Sequence, residues 1–214
     1  MTRLLVEAGH EAIAVELPGD DETAGLTRYA DLVVDAIDSR SRVTLVAGSL
    51  GGFTAPLVCE RVGVEALVLV NAMIPVPGET ANEWWAHTGA IEARDEAARV
   101  GGYGPFDVAS YFLHDVDAAI AAEGEPYQRF EADIAFETAC DFTAWPAVNL
   151  RVLAGAEDRF FPVDLQRRVA RERLGVEVDV IPGGHLLPLV QPQLVADYLL
   201  QTTHQGDAAA ASER

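Results

Sequence analysis

The sequence predicts an α/β protein with a mostly parallel, doubly wound sheet and a helical segment inserted into it. Three observations carry this. Short apolar runs alternate with stretches of helical period at both ends of the chain. One run, Ala66 to Val70 (ALVLV), is uninterrupted, as in strands covered on both faces. The alternation lapses between residues 75 and 146 and then resumes.

The elements follow in order. Thr2 to Ala8 reads as a short helix stopped by Gly9. Ala12 to Leu17 (AIAVEL) reads as a strand ending at Pro18-Gly19-Asp20. Leu26 to Ile37 carries apolar residues at 26, 29, 30, 33, 34 and 37, a helical period. Arg42 to Ala47 is a second strand, and Leu50 to Val62 its helix. Ala66 to Val70 is the third strand. From Pro75 to Pro146 no clear strand appears, while all three tryptophans and many acids do. A structureless loop of that length is implausible in a folded domain. Helices are expected at Glu92 to Val100, Val108 to Leu113, Ala118 to Glu123 and Tyr127 to Phe136. Asn149 to Ala154 restores the strand pattern. Val163 to Leu174 is a helix, with Pro162 before it and Gly175 after it. Glu177 to Ile181 is the last strand and Gln191 to Thr202 the last helix. The organisation expected is a core of residues 1–74 and 147–205, a helical cap of 75–146, and a flexible tail of 206–214.

Composition narrows the function. With 34 acidic and 15 basic residues the net charge is −19, which repels nucleic acid and anionic membranes. There is no lysine, so lysine Schiff-base chemistry is excluded. The two cysteines, Cys59 and Cys140, form neither a disulfide framework nor a metal spacing, and a cytoplasmic setting is expected. No metal cluster, phosphate-binding loop or dinucleotide fingerprint is present, so no cofactor is expected. The expected partner is a small-molecule substrate, with homodimer formation left open.

The chemistry centres on RVTLVAGSLGGFTAPLVCE, residues 42–60. A strand ends in a tight turn with Ser49 at its apex, and a helix follows. This is the context of a nucleophile elbow, although the same residues also fit a plain strand-to-helix turn with a capping serine. Ala47 and Gly51 flank the serine, with Ala in place of the usual first Gly. A serine hydroxyl needs a base, and the base needs an orienting group. His185, in IPGGHLLP, follows the last strand, at the sheet edge where open parallel sheets build their sites. Asp158, in LAGAEDRFFP, follows the preceding strand. The order is Ser, Asp, His.

With VAGSLGG, ELPG, AGAEDRFFP and GGHLLP in hand, the sequence resembles a small α/β-hydrolase, closest in style to bacterial esterase-like members and the plant methylesterase and hydroxynitrile-lyase group. The resemblance spans residues 1 to 203. It implies that Ser49 attacks an acyl carbon, His185 shuttles the proton, Asp158 steadies the imidazolium and the Leu50 N–H serves as one oxyanion donor. It also implies a further central strand and a His-Gly oxyanion loop that are not in these 214 residues. The chain is therefore expected to be an N-terminally truncated reading of a longer protein. An intact mass of 23.0 kDa for the native protein would refute this. Trp84, Trp85 and Phe112 are candidate pocket residues, alongside other cap aromatics. The expected substrate is a small uncharged ester. Carbon–carbon bond or lactone hydrolysis, a non-catalytic binder and an inert fragment remain as alternatives.

Overall fold

A computed structural model describes residues 1–212. Four parallel strands form one sheet in the order β1 (Thr44–Ser49), β2 (Ala66–Ala72), β3 (Asn149–Gly155), β4 (Val178–Ile181). Every residue of β2 is buried, as its unbroken apolar run requires.

Successive side chains of β2 point to opposite faces, and each face has its own core. Leu67 and Leu69, with Val152 of β3, pack on the side of α2 (Leu26–Ile37), α3 (Gly51–Cys59) and α9 (Val163–Leu174). Val68 and Val70, with Leu153, pack with Leu187, Val195 and Leu199 on the opposite side. There α1 (Thr2–Glu7), α10 (Leu187–Val190) and α11 (Pro192–Ser212) cover the sheet. Helices on both faces confirm the doubly wound arrangement.

Between β2 and β3 the chain forms α4 (Ala81–Thr88), α5 (Ala90–Gly101), α6 (Val108–Phe112), α7 (Ala118–Gly124) and α8 (Asp133–Glu137). α4 escaped the sequence reading, yet it carries a full capping box: the Thr80 hydroxyl accepts from Glu83 N–H and the Glu83 carboxylate accepts from Thr80 N–H. Both adjacent tryptophans sit on it.

One expectation is corrected. Ala12 to Leu17 forms no strand. A strand persists only where a neighbour satisfies its N–H and C=O groups, and this stretch pairs with none among the described residues. β1 is consequently an edge, and its Val46 is exposed. α11 runs through Ser212, into the segment expected as a tail, in keeping with the high helix propensity of Ala208 to Ala211. Residues 213 and 214 lie outside the described residues. Among those residues, no helix is long and apolar enough to cross a membrane.

Candidate active site

Ser49 is the last residue of β1 and takes a positive φ of 49°, rare for a non-glycine residue. The strand pairing also breaks its register between Gly48 and Ser49. The chain leaves the sheet abruptly and enters α3, with Leu50 as the residue before the first helical turn. N–H groups at a helix start have no acceptor one turn back, and the Leu50 N–H is one of these, next to the serine.

The close approach at this turn falls on a different glycine from the one the motif suggests. A methyl group on Gly51 would meet only the Ala47 side chain, at an ordinary 3.7 Å. On Gly52 it would sit 1.7 Å from the Met73 carbonyl oxygen. Gly52 is what lets α3 lie against the end of β2, where the Met73 N–H also donates to the Ser49 carbonyl.

The three residues read from separate strand ends meet in one hydrogen-bonded line. Ser49 Oγ lies 3.1 Å from His185 Nε2, and His185 Nδ1 lies 3.0 Å from Asp158 Oδ2. An ionised Asp158 can only accept, so Nδ1 carries the ring proton and Nε2 is left to accept from the serine hydroxyl. Asp158 is fully buried but well satisfied. Its Oδ1 accepts from the N–H groups of Phe160 and Phe161, both at 2.9 Å, and its Oδ2 also accepts from Gln166 Nε2 at 3.2 Å. Four donors compensate the cost of burying the carboxylate.

Sequence reasoning missed Asn71, the polar residue that directly follows the ALVLV run. It is buried at the end of β2 with a positive φ of 45°. Its Nδ2 donates to the carbonyls of Gly184 and His185, at 3.0 and 2.9 Å. Its Oδ1 accepts from Gly155 N–H at 2.8 Å and from Gln166 Nε2 at 3.2 Å. One side chain thus ties together β2, the Asp158 loop, α9 and the His185 loop. The available signal was an amide residue at the C-terminal end of a fully apolar strand.

Aromatic rings surround the histidine. Phe112, Phe160 and Phe161 stand edge-on to the His185 ring, with centroids 4.9 to 5.2 Å away. Phe112 comes from α6, as the sequence suggested, whereas Phe160 and Phe161 lie beside Asp158. Trp85 is half-buried against Phe160 and Phe161. Trp84 is 2% exposed and donates its indole N–H to the Ile74 carbonyl. It fills the join between α4 and the sheet domain and offers a substrate no surface. Behind this wall, the Arg94 guanidinium lies 5.2 Å from the Phe106 ring and 5.8 to 5.9 Å from Trp85, Tyr111 and Phe160.

The sequence profile of the alpha/beta hydrolase family matches residues 1–198. No curated protein sequence matches the chain. Among solved structures, polyneuridine aldehyde esterase is similar over 94% of this chain and 91% of that one, with a TM-score of 0.71 and 20% identity. A methylesterase from Arabidopsis is similar over 95% and 91%, with a TM-score of 0.73 and 16% identity. A pyrethroid hydrolase from Sphingobium faniae JZ-2 is similar over 95% and 90%, with a TM-score of 0.71 and 16% identity. At such identities the likeness speaks for the fold, and the family profile speaks for the lineage. Profile, sheet and turn agree: the chain belongs to the alpha/beta hydrolase family.

Proposed function

We propose that the chain is a serine hydrolase that cleaves a small, uncharged ester through an acyl-enzyme. The observation that carries the reading is the continuous line Ser49 Oγ, His185, Asp158, with both gaps at hydrogen-bond length. His185 Nε2 takes the hydroxyl proton as Ser49 Oγ attacks the ester carbonyl. The Leu50 N–H donates to the oxyanion. Collapse expels the alcohol, which receives the proton from His185, and leaves the acyl group on Ser49. Water, deprotonated by the same nitrogen, then releases the acid and restores the serine. Asp158 holds the ring in the required tautomer throughout.

Two of the similar structures bear the names of an esterase and a methylesterase, which supports ester chemistry over the other reactions open to this family. In this reading residues 75–146 act as a cap, and Phe112, Trp85 and Phe160 form an apolar wall beside the serine. The acidic chain disfavours anionic substrates. Two unpaired cysteines support a cytoplasmic setting.

A fluorophosphonate probe tests the nucleophile without knowledge of the substrate. It should label Ser49, found by peptide mapping, and Ser49→Ala should abolish labelling. With a p-nitrophenyl ester, wild type should release a stoichiometric burst, and Ser49→Ala should lower kcat by about 10⁴–10⁶. Undiminished turnover by Ser49→Ala would defeat the proposal.

A further inference from the structure

The loop that carries His185 is Pro182-Gly183-Gly184, and Gly183 has a φ of 124°. Two successive glycines give the chain its greatest freedom just where a catalytic ring must be held still. Something outside the loop has to hold it. Asn71 grips the carbonyls of Gly184 and His185 from the sheet side. The N–H groups are gripped by carboxylates. Glu157, on the Asp158 loop, accepts from Gly183 N–H. Asp115 accepts from Gly184 N–H, with Oδ2 at 2.5 Å. Asp115 belongs to the helical insertion, on the turn after α6, and reaches the loop across 69 residues of sequence.

We propose that Asp115 is a positioning residue for His185, and that the turn bearing it latches the helical insertion onto the histidine loop. The proposal rests on reading His185 as the catalytic base. Three further contacts tie the same turn of the insertion to its surroundings, two to the Asp158 loop and one to His185. Arg159 Nη1 donates to the Ser110 carbonyl at 3.0 Å. His114 Nε2 donates to the Glu157 carbonyl at 3.1 Å. The Phe112 ring abuts His185 itself. Residues 110–115 therefore touch the acid loop, the histidine loop and the base in one short segment. The fit also explains residue 184. A methyl group there would lie 2.8 Å from both Asp115 Oδ1 and His114 Nε2, so a larger residue at 184 would push these two side chains away from the loop. A charged acceptor suits the task, because a hydrogen bond to a carboxylate is roughly twice as strong as one to a neutral group.

The latch makes the position of the base depend on the seating of the insertion. Misplacing a catalytic group by about 1 Å can cost about 10²-fold in rate. Asp115→Ala should therefore lower kcat about 10–100-fold with KM within about twofold. It should also speed hydrogen exchange at the Gly184 amide by about tenfold or more, followed by NMR on the full chain. Asp115→Asn, which keeps one carbonyl acceptor, should fall between. Asp117→Ala is the control: it removes the cap of α7, where Oδ1 accepts from Ala119 N–H, in the same insertion but away from the loop. It should leave kcat unchanged. If Asp117→Ala slows turnover as much as Asp115→Ala, or if Gly184 exchange does not change in Asp115→Ala, the latch is overturned. Unchanged kcat alongside faster exchange overturns it as well. If Ser49 takes no fluorophosphonate, the hydrolase reading fails separately. The downfield Nδ1 proton of His185 then decides: its broadening in Asp115→Ala sustains the latch, and its persistence unchanged overturns it.

Discussion

Gly52 and the carbonyl of Met73 are in such close apposition that a single added methyl group would lie 1.7 Å from the oxygen. Both partners of this contact are backbone, so neither can swing aside. Gly52→Ala should destabilise the fold by about 3 kcal/mol or more, the upper range for overpacking a core. Gly51→Ala, at a position where the methyl group finds an ordinary contact, should cost little. Urea midpoints of the two variants check the contrast, and equal midpoints would refute it.

Asp158→Asn separates orientation from bulk. The amide oxygen can still accept from Phe160 and Phe161 N–H groups, so the loop should keep its shape. The amide nitrogen, facing Nδ1, would favour the opposite ring tautomer and leave Nε2 protonated. A loss of about 10⁴ in kcat is expected, with a thermal midpoint close to wild type. Ester turnover and calorimetry on the same preparation test both halves.

Asn71→Ala should injure stability and turnover together. It strands the Gly155 N–H and removes donors from two carbonyls of the histidine loop, all buried. Each buried group left unpaired costs about 1–3 kcal/mol, so a total above about 3 kcal/mol is expected. Denaturant unfolding would measure it. Asn71→Asp keeps the acceptor but turns a buried carboxylate oxygen toward the two carbonyls, and should slow turnover and destabilise the fold at least as much as Asn71→Ala at pH 7.

Glu79 sets an acid limit on stability. Its side chain is 1% exposed and pairs with Arg173 and with His87 Nδ1, the latter at 2.7 Å. Burial works against its charge, but the hydrogen bonds from Arg173 and His87 outweigh burial and hold the carboxyl below its ordinary 4.5. A carboxyl lowered in the folded state contributes stability that is fully present above its unfolded value and lost as pH falls through the folded value. The urea midpoint should therefore decline below about pH 4.5. Glu79→Gln should be less stable at pH 7 and show a shallower decline in acid. Arg173→Met, which strands the buried carboxylate, should cost about 3–5 kcal/mol at pH 7.

Much of this was legible in the sequence because it depends on local pattern. α2 and α9 match their expected spans at both ends, and the four strands fall where apolar runs predicted them. Ser49, Asp158 and His185 were readable because each follows such a run, and strand ends in a parallel sheet converge. Other features depend on who the neighbours are. The alternating stretch at 12–17 looks like a strand but finds no partner to pair with among the described residues. Asn71 looks like any residue ending a strand, since its four partners lie 84 to 114 positions away. Trp84 and Trp85 are adjacent on α4, and helix geometry alone turns one into core and the other toward the aromatic wall. The demand for glycine at 52 arises from the level of the Met73 carbonyl, which no motif records.

The outer edge of β1 has a consequence for how the protein behaves in bulk. TLVAGS contains no charge and no proline, the devices that ordinarily keep one sheet from extending into another. The chain's net charge of −19 opposes the approach of two such edges. That repulsion reaches only about one Debye length, about 10 Å in 0.1 M salt and about 3 Å in 1 M. Colloidal behaviour here is thus a property of the medium as much as of the molecule. Salt, or a pH near the isoelectric point of about 4.4, removes the barrier and leaves the β1 edge open to pairing with a second copy.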